Sequence, residues 1–239
     1  MAYAQPPVVS SKDKTNYARL CRLLVDVGWE ALRDTFDSIH PPAELFEVLI
    51  RPPVHPTLQS LKKKRILSPT QWRKLYPSVS SAVSSANFDI TLLTLLLRNI
   101  CGLSPPASTG SWDVLPPSFA MSIEANIARV KFYRDNVYWN ARQDSVDDQT
   151  FNTYWQDISN ALIGLGAGSS YWNTISRIKT ESMDPDTEQH YKALLKEWKK
   201  DDDNVQNRPE GIKGTLENIF YLPKAGKVMI PYQIYLHGS

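Results

Sequence analysis

The sequence predicts an all-α fold, a helical bundle of about five helices joined by long loops. Three observations carry this. Apolar residues recur at spacings of three and four through most of residues 15–166, two capping-box patterns stand just before such stretches, and no convincing alternation of period two occurs there.

The elements follow in order. Residues 1–14, rich in Pro and Ser, read as a flexible lead-in. From Thr15, the positions Tyr17, Leu20, Leu24, Val27 and Ala31 form a helical stripe, and Pro41-Pro42 forbids its continuation. A Pro-rich connection, "RPPVHP", leads to "LQSLKKKRIL". In "SPTQWRKLYP", Ser68 at an N-cap, Pro69 at the first helical position and Gln71 three after the cap predict a short helix closed by Pro77. After a Ser-rich loop, "FDITLLTLLLRNIC" (88–101) has leucines on nearly every face and Gly102 as its C-cap, which places it at the centre of the bundle. Another Pro-rich loop precedes a helix over residues 120–142. Ser145 and Asp148 read as a second capping box, opening a helix with Phe151, Trp155, Ile158, Leu162 and Leu165 on one seam and an end near Gly166.

Beyond Gly166 the character changes, and residues 167–239 read as a C-terminal extension. Tyr191, Leu194, Leu195 and Trp198 share one face of a short basic amphipathic helix whose expected place is against the bundle. "DDDNVQNRPEG" reads as a solvated hinge, and "LENIFYLPKAGKVMIPYQIYL" has room for one or two short strands.

Composition narrows the function. The 239 residues, 42% of them hydrophobic, suit one ordinary domain with an appended tail. A formal charge of +2 gives no global basic field for nucleic acid, and leaves room for a local one. Cys21 and Cys101 are far apart and without a CxxC pair, so no metal site, no disulfide framework and no cofactor is expected. "MAYAQPPVVS" lacks the basic and apolar regions of a signal peptide, and "ITLLTLLL" stops at Arg98, too short for a membrane span. The expectation is a cytoplasmic protein. No GxSxG, P-loop or Gly-rich dinucleotide turn is present.

One residue breaks its pattern. Ile123, Ile127, Val130, Val137 and Ala141 define a buried seam, and the seam position between Val130 and Val137 is Arg134. Three readings are open. The stem packs in the core while the head pairs with a carboxylate such as Asp135 or Asp157. Alternatively Arg134 faces a partner at a dimer interface, or its planar fork clamps a phosphate.

The ordered motifs "LRDTFDSIHPP", "TQWRKLYP", "FDITLLTLLLRNICGL", "GSWDVLPP", "IARVKFYRDNVYWNA" and "FNTYWQDISNALIGLG" resemble the HEPN domain of the DAZ-interacting zinc-finger ubiquitin-ligase type, over about residues 17–166. This domain type also occurs in invertebrate immune-like proteins. The resemblance implies a HEPN-superfamily bundle that forms a homodimer and is often linked to RNA. Many members are metal-independent ribonucleases built on an arginine, an adjacent polar residue and a histidine a few positions on. Mapped here, these are Arg134, Asp135 and, in the histidine's place, Asn140. Asn has no proton to exchange near neutrality. Losing such a group typically costs about two to four orders of magnitude in rate.

The expectation is therefore a non-catalytic module that dimerises through the Arg134 helix and binds RNA, a signalling protein partner, or both. Arg134 and Asn140 are its RNA-contact candidates, and Val137, Tyr138 and Trp139 join Arg134 as dimer-face candidates. Lys62, Lys63, Lys64 and Arg65 add a compact basic run that is more simply read as a solvated face and otherwise as phosphate contacts, and Trp72 and Tyr76 stand near it. An altered endoribonuclease and a pure protein-interaction scaffold are the alternatives. An Arg33/His40 pair in "RDTFDSIH" is a loose second pattern, simpler to read as a helix end. The resembling ligases carry ubiquitin transfer on a separate RING, which two isolated cysteines cannot build.

Overall fold

The structure, a computed structural model, describes residues 11–140, 144–166 and 169–203, the side chains of 139–140, 169–170 and 198–203 excepted. Among the described residues all regular structure is helical. The one or two short strands expected within residues 216–236 lie outside them.

The stripe that begins at Tyr17 becomes a continuous rod. It runs as α1 (Lys12–Arg22), one π-helical stretch (Leu23–Gly28) and α2 (Trp29–Ile39). Tyr17, Leu20, Leu24, Val27 and Ala31 are fully buried along it, and the rod stops two residues before Pro41. Two short helices, α3 (Leu45–Ile50) and α4 (Val54–Lys63), follow, neither of them assigned from the sequence. The capping box forms as expected ahead of α5 (Pro69–Leu75): Gln71 N donates to Ser68 Oγ at 3.1 Å, and Ser68 N donates to Gln71 Oε1 at 2.9 Å.

Helix α6 (Ile90–Ile100) is buried on nearly every side, and Gly102, at φ +69°, ends it in the left-handed conformation that suits glycine. The cap that opens it is Asp89, whose Oδ1 accepts from Leu92 N at 2.8 Å. Helix α7 (Ile123–Asn140) packs along α8 (Asp148–Leu165). The Ser145/Asp148 box does not form. Asp147 takes the N-cap, accepting from Thr150 N at 2.9 Å, while Asp148 is drawn to α1 by Lys12 and by Asn16 at 2.9 Å. Phe151, Trp155, Ile158 and Leu162 are buried as expected, with Leu165 half-buried at the end of the seam.

The core continues past Gly166. Tyr171, Ile175 and Ile178 of α9 (Ser169–Thr180) and Leu195 of α10 (Pro185–Asp203) belong to the same cluster as the rod. Gly166 permits the turn, since a Cβ there would fall 1.9 Å from the Tyr171 ring. Polar contacts fasten α10: Tyr191 Oη donates to Asp26 at 2.9 Å, Thr15 donates to the buried Glu188 at 2.6 Å, and buried Lys192 meets Asp144 at 3.3 Å. The helical tail is thus part of the bundle, as its amphipathic pattern suggests, and the packing continues beyond the residue 166 boundary read from the sequence.

Candidate functional site

Helix α7 builds the site. Its seam is buried at Ile127, Val130 and Val137, while Ile123, at the first turn, is 44% exposed, and Ala141 lies outside the described residues. Arg134 occupies the seam position and is only 5% exposed. Its guanidinium is held by its own chain. Nε and Nη2 donate to Asp135 Oδ1 at 2.9 and 2.6 Å, and Nη1 donates to Thr91 Oγ1 of α6 at 3.1 Å. The same group lies 5.4 Å from the centre of the Tyr138 ring. Asp157, the other carboxylate considered from sequence, is taken by the Tyr133 hydroxyl.

The charges extend outward as a chain. Lys131, one turn before Asp135, donates to its Oδ2 at 3.1 Å and also meets Asp113 at 3.0 Å. Asp113 lies 3.6 Å from Arg98, whose guanidinium sits 5.5 Å from the Trp112 ring. Three cations and two carboxylates therefore tie α6, the loop before α7 and α7 together. Burial acts to raise the Asp135 carboxyl, but the charges and hydrogen bonds of Arg134 and Lys131 outweigh it and hold the group below the usual carboxylate range. Asp113 is lowered in the same way: burial opposes, Lys131 and then Arg98 prevail. Burial pulls Arg98 below the ordinary guanidinium value, though it remains a cation.

No histidine belongs to this cluster: its described members are arginine, lysine, carboxylates held low, threonine and tyrosine. Position 140 ends α7, and the side chains of Trp139 and Asn140 lie outside the described residues. Val137, fully buried, and Tyr138, 5% exposed, are covered by their own chain, so neither offers surface to a second copy in this conformation. The Arg33/His40 pattern is engaged elsewhere. His40 Nε2 lies 3.2 Å from the Ile100 carbonyl, and Arg33 stacks on Trp29 at 4.5 Å beside Asp34. Burial pushes the thiols of Cys21 and Cys101 up to about 12, so neither is a ready nucleophile. No group of three His, Cys, Asp or Glu among the described residues could hold a metal ion.

Lys62, Lys63, Lys64 and Arg65 are exposed where α4 ends, and no described contact links them to Arg134. Lys62 lies 4.1 Å from the Trp72 ring, which stacks on Tyr76 at 4.3 Å. Sequence reasoning missed Thr91 as a partner of the arginine, and Lys131, Asp113 and Arg98 as the groups that extend the chain from Asp135. Only the Lys131–Asp135 spacing of four carried a signal.

Residues 42–191 match the DZIP3/hRUL138-like HEPN family, well over half of the chain. The chain belongs to this family. Among curated proteins, the HEPN chain is 30% identical to the E3 ubiquitin-protein ligase DZIP3 of Mus musculus over 156 residues and 26% identical to that of Homo sapiens over 158. Each alignment covers 64% of this chain and 13% of the relative, so the chain spans a small part of the ligases it resembles. No solved structure matches it. The family match ends within α10, twenty-five residues beyond the resemblance read from sequence motifs, in keeping with the packed tail.

Proposed function

We propose that this HEPN domain is a non-catalytic module that works by docking a protein partner, a second copy of itself included, and that Arg134 is part of its frame. One observation supports this above the others: the Arg134 fork is turned inward onto Asp135 and Thr91 rather than outward to solvent. A phosphate entering there would have to displace a carboxylate already bonded to the arginine and would meet its negative charge. With Asn at position 140, the proton carrier that phosphodiester cleavage requires is also missing.

The test is metal-free incubation with labelled single-stranded RNA, comparing the wild-type chain with Arg134→Ala and Asn140→His. The expected result is no cleavage by any of the three and no RNA affinity that depends on Arg134. Cleavage by the wild type that Arg134→Ala abolishes would establish the endoribonuclease reading instead. Binding without cleavage, lost in Arg134→Ala while the fold survives, would restore the RNA-holding reading and displace the protein-docking one.

A further inference from the structure

Residues 48–88 contain seven Lys and Arg and not one Asp or Glu. With a net charge of only +2, the rest of the chain is net acidic, so charge is segregated onto this stretch. Among the described residues three carboxylates reach it: Glu47 meets Arg51 at 3.1 Å, Asp89 meets Lys74 at 2.8 Å, and Asp37 accepts from Ser85 Oγ at 3.1 Å. Among the described residues, Lys62, Lys63, Lys64, Arg65 and Arg73 have no carboxylate partner.

Local structure presents these cations at a corner. Arg65, at φ +56°, reverses the chain at the end of α4, with Ile66 N donating back to Leu61 O at 2.9 Å. The turn leaves Lys63, Lys64, Arg65 and Ile66 in solvent, Ile66 at 40% exposure, while Leu67 anchors it in the core. Two further aliphatics stand out on the same stretch, Ile50 at 43% and Val79 at 61%. Tyr76 Oη donates to Leu49 O at 2.8 Å, and Tyr76 stacks on Trp72 under Lys62, so the ends of α3, α4 and α5 meet around one aromatic pair.

We propose that this corner docks on the surface of an anionic lipid bilayer. Cations without carboxylate partners beside exposed Ile66, on a stretch that also exposes Ile50 and Val79 and carries Trp72 and Tyr76, combine both attractions of a peripheral membrane site: charge toward acidic headgroups and burial of apolar groups at the interface. Single-stranded RNA fits less well, because Trp72 is already covered by Tyr76 and Lys62 and Ile66, Ile50 and Val79 would stay in water. A purely acidic peptide such as poly-glutamate leaves the same aliphatics without a partner. No described helix is long and apolar enough to cross a membrane, so the contact is with the surface. This proposal is independent of the protein-docking reading above.

The test is co-sedimentation of the full chain with phosphatidylcholine–phosphatidylserine vesicles against phosphatidylcholine alone, at low and physiological salt. Binding is expected only with phosphatidylserine. Replacing Lys63, Lys64 and Arg65 together by Gln should weaken it about a hundredfold, roughly fivefold per cation. Ile66→Ser with Val79→Ser should weaken it about tenfold at every salt concentration. All five side chains are exposed, so circular dichroism and melting should match wild type. Absence of vesicle binding, or binding that the Gln triple variant retains, overturns the proposal. So does binding indifferent to the Ser pair and displaced by single-stranded RNA or poly-glutamate, which would assign the corner to a polyanion other than lipid.

Discussion

Two regions of this domain concentrate cations, and they treat them in opposite ways. Around α7, Arg134, Lys131 and Arg98 are interleaved with Asp135 and Asp113 and mostly withdrawn from water. At the end of α4, four consecutive cations stand exposed with no carboxylate partner among the described residues. The residue types are the same, and the difference lies in pairing and burial. A paired, buried cation belongs to the frame, because its desolvation must be offset by fixed partners. An unpaired, hydrated one adds nothing to the fold and remains available for a partner.

The sharpest way to break this comparison is Arg134→Ala. It removes the partner of Asp135 and of Thr91 and opens a gap between α6 and α7. Removing one member of a buried pair typically costs about 3–5 kcal/mol. Since Asp135 is 36% exposed and can rehydrate, the expected loss is about 2–4 kcal/mol by urea unfolding. A loss below about 0.5 kcal/mol, the range of ordinary surface substitutions, would show that the arginine is not part of the frame.

The pH dependence of the same pair sharpens the point. The Asp135 carboxyl is lowered in the folded state, so its contribution is present above the unfolded value of about 3.9 and is lost as pH falls through the folded value. Asp135→Asn should therefore destabilise the domain near neutrality, with the gap to wild type shrinking as the solution is acidified below about pH 4. Parallel stability curves for the two proteins down to the acid transition would contradict the ion-pair account.

Why the frame was only half legible follows from these residues. Periodicity identified the seam and the misfit at Arg134, and it could also name Asp135 as a candidate partner. It could not choose, because residues i and i+1 do not normally face each other on a helix, and only the long arginine stem lets the fork fold back. Thr91 lies forty-three positions away in an apolar helix and carries no local signal. Local chemistry fared better where one turn decides the outcome. The Ser68 box formed as written, whereas after Ser145 the neighbouring Asp147 captured the cap, its carboxylate accepting from both the backbone and hydroxyl of Thr150. Nothing in the pattern announced the π-helical stretch inside the rod, since a wide turn keeps the apolar face continuous.

Asp89 stands between the two regions, capping α6 on one side and meeting Lys74 of the basic stretch on the other. Its side chain is 3% exposed, so Asp89→Ala loses a buried cap and strands a half-buried lysine. The expected cost is about 2 kcal/mol, the upper end for a helix cap. Lys74→Ala should cost less than Asp89→Ala, because the cap survives it. Equal losses would mean that the ion pair, and not the cap, is what Asp89 contributes.

The smallest effect is the most discriminating for the exposed corner. Lys63→Ala and Lys64→Ala remove side chains that touch no carboxylate and no described hydrogen-bond partner, on a surface where neighbouring cations repel one another. Each should change unfolding free energy by no more than about 0.5 kcal/mol, and the repulsion relieved makes a slight gain more consistent than a loss. Raising the salt concentration should erase that gain, since mobile ions already screen exposed charges beyond about one Debye length. A loss comparable to that of Arg134→Ala would place these lysines in the frame as well. The two regions would then differ in exposure alone, and the corner would no longer stand out as a surface kept free of internal partners.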